Sequence, residues 1–123
     1  MNVEKSIRWM GGSRHDLGAF PDEARRRAGH NLRLVQQGAM PEDWKPFETV
    51  GPGTYEIRVR IPEPQAGQFR VMLVAKFEEA VYVLHAFEKK SRKTSRHDID
   101  LGRARYAEIL AERSERRRKA TGR

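Results

Sequence analysis

The chain of 123 residues contains no cysteine. That excludes disulfides and thiolate metal ligation, and it suits a reducing compartment. No apolar run approaches the roughly 18 residues a membrane helix needs, and the N-terminal stretch has no apolar signal-peptide core. No membrane association is therefore expected, and a cytoplasmic location is. Signatures of chemistry are equally scarce. There is no phosphate-binding glycine loop, no HExxH, no nucleophile elbow, and no clustering of His, Asp and Glu that suggests a metal. Neither a metal nor a cofactor is expected, and no internal repeat is visible.

What the chain has is positive charge, unevenly placed. The net charge is +8, yet residues 1–88 balance, with 12 Lys/Arg against 12 Asp/Glu. Residues 89–123 carry the whole excess, 13 against 5. Charge gathered at one end points to a polyanion, nucleic acid above all, although a solvated basic helix has the same composition. The length fits one domain with a modest core. We place that domain at residues 1–112, with 113–123 as a basic tail that frays or is disordered.

The centre of the chain is residues 54–94. Thr54-Tyr-Glu-Ile-Arg-Val-Arg-Ile61 alternates, with Tyr55, Ile57, Val59 and Ile61 opposed to Glu56, Arg58 and Arg60. Phe69 to Phe77 alternates as well, with Arg70, Met72, Val74 and Lys76 on its second side. Val81 to Phe87 is apolar almost throughout, as suits a strand covered on both faces. These runs predict an antiparallel meander with one apolar and one basic face. Before it, Lys5 to Met10 reads as a short strand. Ser13-Arg-His-Asp16 has the form of a capping box that opens a short helix ended by Pro21. A second helix begins at Pro21, buries Ala24, Ala28, Leu32 and Val35, and stops at Gly38, with Arg25, Arg26, Arg27 and Arg33 mostly off the stripe and solvated. Residues 40–47 read as an irregular connection pinned to the core by Trp44 and Phe47. Ser95-Arg-His-Asp98 opens a C-terminal helix with Ile99, Tyr106, Ile109 and Leu110 on one side. The fold class is α+β: a two-helix hairpin on an antiparallel sheet of about four strands, then a C-terminal helix. Of the four histidines, His15, His30 and His97 lie in polar contexts. His85 sits mid-strand among apolar residues, either as a core histidine bonded to backbone or as a proton carrier.

The strings Asp43-Trp-Lys-Pro46, Gly53 to Val59, Phe69 to Phe77, Val83 to Thr94 and Asp98 to Tyr106 resemble the phage-derived HigB-like toxins of the RelE superfamily, over about Ile7 to Tyr106. The resemblance implies a RelE-like fold, an endoribonuclease that cuts mRNA, usually on the ribosome, and a partner antitoxin with a helix-turn-helix (HigA-like) domain. Cleavage of RNA needs no metal, because the 2′-hydroxyl attacks the adjacent phosphate while the protein offsets charge and moves protons. Arg70 matches the superfamily arginine that follows an aromatic residue on the third strand, and is assigned to the transition state. Lys89 and Lys90 match basic residues at the end of the last strand, and His85 is assigned as acid or base. Arg58, Lys76 and Lys93 are assigned to the RNA backbone. Ser91 and Ser95 stand where the family form has Thr and Pro. A C-terminal tyrosine or an Asp/His cluster, implicated in some relatives, is not evident. Two other classes share parts of this pattern: ParE-like gyrase toxins without nuclease activity, and non-catalytic nucleic-acid-binding domains.

Overall fold

The computed structural model describes residues 4–64 and 66–122. Its elements are β1 (Ile7–Trp9), α1 (Ser13–Gly18), α2 (Asp22–Gln36), β2 (Trp44–Pro46), β3 (Thr54–Ile61), β4 (Gly67–Val74), β5 (Val81–Glu88) and α3 (Arg96–Thr121). The α+β class stands, but the sheet has five strands and is mixed. Its order is β1-β5-β4-β3-β2, with β1 parallel to β5 and every other pair antiparallel. The extra strand β2 is only three residues long and includes Pro46. Proline is tolerated on an edge strand, and three residues are too few to show a period.

Register follows from parity. Tyr55 faces Leu73, Ile57 faces Val71 and Val59 faces Phe69, so one side of β3 and β4 is continuously apolar. The α1–α2 hairpin lies on that side, burying Leu17, Phe20, Ala24, Ala28, Leu32 and Val35. Leu17, Phe20, Leu32 and Val35 each contribute up to about 1.5–3 kcal/mol when fully buried, and the two alanines less. Gly38 ends α2 at φ +88°, in the left-handed region that glycine adopts without penalty. Pro21 is the N-cap of α2 rather than its first residue. The arginines of α2 are exposed and pair with Asp22, Glu23 and Glu4.

Two local expectations fail. Ser13 does not cap α1: the N-cap is Gly12, and the buried Ser13 hydroxyl donates to the Val83 carbonyl at 3.1 Å. Burial against β5 offers that hydroxyl a long-range acceptor in place of the local one. Trp44 is not core either. It stays 39 % exposed on the edge strand, edge-on to Tyr55, while Phe47 does pack inward.

The larger correction concerns the second side of the sheet, which is not uniformly basic. A bulge between Met72 and Leu73 of β4 and the facing part of β5 turns both Leu84 and His85 to that side. Met72, Val74, Tyr82 and Leu84 form a second core there, closed by Tyr106 and Ile109 of α3. Gly102 permits the close approach, since a Cβ on it would stand 3.1 Å from Met72 Sδ and Val50 Cγ1. The bulge carbonyl of Leu84 accepts a hydrogen bond from Arg105 at 2.9 Å. Leu110, expected on the apolar stripe, is 48 % exposed. Beyond Arg113, where the sequence suggests fraying, α3 continues to Thr121. Arg113 and Arg116 reach Glu79 at 2.8 and 3.1 Å, and Arg113 lies over the Phe77 ring. No helix of the described residues is long and apolar enough to cross a membrane.

Candidate functional site

Helix α3 starts at Arg96 and covers only the Val74–Tyr82 end of the sheet's second side. The other end carries Glu56 and Arg58 on β3 and Arg70 on β4, all of one parity. Between β2, the residues after β5 and the first turn of α3 it opens as a cleft of about 320 Å³. Glu56 and Arg70 form the floor. Lys45 and Arg58 flank them on one side, and Lys89, Arg92 and Lys93 on the other.

The floor pair is almost fully buried, Glu56 at 3 % and Arg70 at 5 % exposure. Arg70 Nε stands 3.8 Å from Glu56 Oε1, a salt bridge without a hydrogen bond. The guanidinium is held by the Phe69 carbonyl at 3.2 Å and by Gln68 Oε1 at 3.0 Å. Among the described residues Arg70 Nε and Glu56 Oε2 have no hydrogen-bond partner. Burial works against both charges, lowering Arg70 and raising Glu56 from their ordinary values. A guanidinium starts so high that it stays charged, so the carboxyl is the group whose basicity burial raises. For Glu56, desolvation outweighs the opposing pull of Arg70, Lys89, Lys45 and Arg58.

Around this floor the charge is not neutralised. Arg58 gives Asp43 two contacts of 3.1 Å. Among the described residues Lys45, Arg60, Lys89, Lys90, Arg92 and Lys93 form no salt bridge. By contrast, most exposed arginines of α2 and several in the last turns of α3 have carboxylate partners.

The structure thus gathers Arg58, Arg70, Lys89 and Lys93 into one cleft. It leaves three expected site residues outside the lining. Lys76 follows β4 at the far end, its Nζ 5.2 Å from the Phe77 ring centroid and its stem against Gly53. Lys90 lines a neighbouring basin. His85 is buried beside Met72, stacked on Phe87 at 4.8 Å, with Nε2 2.7 Å from Asp98 Oδ1. Asp98 Oδ2 accepts from the Ser95 hydroxyl at 2.7 Å, and Ser95 Oγ caps α3 by accepting from the Asp98 N–H. An Asp/His pair therefore exists, formed across 13 residues, and it ties β5 to the start of α3 rather than facing the cleft.

Sequence reasoning missed Glu56, Lys45 and Arg92. Glu56 did leave a signal: it is the one acid on the parity that carries Arg58 and Arg60. Lys45 and Arg92 left none, because they reach the cleft from an edge strand and a loop. Among the described residues no group of three or more His, Cys, Asp or Glu is placed to hold a metal ion.

A family model described as Phage derived protein Gp49-like (DUF891) matches residues 15–107, a span that contains every residue lining the cleft. Comparison with curated proteins and with solved structures gave no match.

Proposed function

The chain belongs to the Gp49-like family of phage-derived proteins, a family associated with the toxins of toxin–antitoxin pairs, and on that premise we propose that it is an endoribonuclease that cuts mRNA and arrests translation. The observation that carries this reading is the desolvated Glu56–Arg70 pair at the floor of a cleft rimmed by unpaired cations. RNA supplies its own nucleophile, so the protein must take a proton from the 2′-hydroxyl, offset charge on the phosphorane and stabilise the leaving 5′-oxygen. Glu56 accepts the proton, its raised pKa making the carboxylate a stronger base than an exposed one. Arg70 spends two of its five N–H groups on Phe69 and Gln68 and turns a third, its buried Nε–H, toward Glu56, which leaves two for phosphate oxygens. Arg58 takes a second phosphate contact, and Lys89, with Arg92 and Lys93 beside it, faces the leaving oxygen and the flanking backbone. His85 acts from behind, holding the start of α3 through Asp98.

The finer reading includes the ribosome as the place of cleavage, hence the cytoplasm, and a helix-turn-helix antitoxin as the neutralising partner. Induced expression in a bacterial host, with total RNA mapped for new 5′ ends, tests it. New ends inside translated reading frames are expected, and Arg70→Ala should abolish them while the protein still folds. Growth arrest with intact mRNA and an induced DNA-damage response would point to gyrase instead, and absence of arrest to a binding module.

A further inference from the structure

Beside the cleft lies a second, larger basin of about 890 Å³. It is lined by Arg60 of β3, Glu63 of the β3–β4 connection, Glu88 of β5, and Lys89, Lys90 and Arg92 just after β5. Lys89 and Arg92 line both basins. The two continue one another along the strands: Arg58 opens to the first and Arg60 to the second, while Arg70 opens to the first and Gln68 to the second. Arg58 and Arg60 share a face two residues apart, about 7 Å along the strand. That is of the order of one nucleotide step in an extended strand. The backbone N–H of Lys89 donates to the Gln68 carbonyl at 2.7 Å, which prolongs the β4–β5 pairing and holds the shared lysine at the junction.

We propose that this second basin is a subsite for the RNA strand flanking the scissile phosphate, taking one phosphodiester and its nucleoside. The proposal rests on the endoribonuclease reading and extends it outward from the cut. Its cations have no carboxylate partner among the described residues, and its two carboxylates, Glu63 and Glu88, also form no salt bridge. A lining of both signs suits a nucleotide, whose phosphate is anionic while its ribose hydroxyls and base amines donate hydrogen bonds. An acidic peptide would meet Glu63 and Glu88 as repulsion.

The test uses the full chain and a fluorescent, sequence-randomised, 2′-O-methyl RNA 8-mer, which binds without being cut. Its anisotropy is followed across a salt series. Arg60→Ala combined with Lys90→Ala, both exposed positions, should weaken binding roughly tenfold and lower the slope of log K against log salt by about 0.7–1.4, the value for one to two single-strand phosphate contacts. Lys45→Ala with Lys93→Ala, in the cleft, should weaken binding too. If the cleft pair weakens binding and the basin pair leaves affinity and slope at wild-type values, the subsite is overturned and the endoribonuclease reading stands. If wild type neither binds the 8-mer nor produces new 5′ ends in cells, both fall together. If a poly-glutamate peptide loses binding with the basin variant while the RNA does not, the basin is a peptide site and the proposal is wrong.

Discussion

Glu56 shows how burial rather than identity gives a side chain its chemistry. On the surface it would be an ordinary carboxylate, but beneath Lys45 and beside Arg70 it holds its proton above the usual range. A carboxyl raised in the folded state favours folding most below its unfolded value and weakens it as pH rises through the folded one. Glu56→Gln should therefore lose mRNA cleavage while unfolding no earlier than wild type at neutral pH, and its stability advantage should shrink on acidification toward pH 4.5. Thermal unfolding from pH 4 to 8 checks this, and a variant markedly less stable than wild type at pH 7 would show that Arg70 needs the charge. His85 makes the opposite case. His85→Ala leaves the largely buried Asp98 carboxylate without its ring partner, at a cost of about 1–3 kcal/mol. Urea unfolding should read that loss while mapped cleavage ends persist at reduced frequency. Complete loss of cleavage at unchanged stability would return His85 to the role of proton carrier.

At the scale of elements, α3 decides the shape of the site. Its first turn, capped by Ser95 and tied to β5 through Asp98 and His85, sets where the basic residues 89–94 stand over the sheet. Its far end depends on Glu79, which the Arg113 hydrogen bond, assisted by Tyr82, lowers to about 2. A depressed carboxyl stabilises fully above its unfolded value near 4.5 and loses that contribution as pH falls toward 2. Hydrogen-exchange protection across residues 113–121 should hold at pH 6 and decline on acidification through that window. Glu79→Gln should show the reduced protection already at pH 6. Equal protection in both proteins at both pH values would mean that the cation–π contact of Arg113 with Phe77 suffices without the carboxylate.

For the whole molecule the governing quantity is where charge is left unpaired. The arginines of α2 and those that end α3 are largely matched by carboxylates, so the cations open to a polyanion are concentrated around the two basins. An antitoxin segment that blocks activity should be acidic and lie over the first cleft, whose rim carries Lys45 and Lys93. Lys45→Glu with Lys93→Glu should reduce co-purification of the cognate antitoxin several-fold, and undiminished co-purification would locate its grip elsewhere. Much of this was legible in the chain itself. Alternation in residues 54–77 determined the strands and which side chains share a face, since pleating has period two whatever surrounds it. Composition determined that the excess charge lies after residue 88. Parity, however, says nothing about what covers a face. Only the packing of α3 divided the second side into a core at Met72 and Val74 and a cleft at Arg58 and Arg70. The bulge that turns Leu84 and His85 the same way, the 13-residue reach between His85 and Asp98, and the desolvation of Glu56 were likewise decided in three dimensions. Each depends on contacts between distant residues, which local sequence periodicity does not encode.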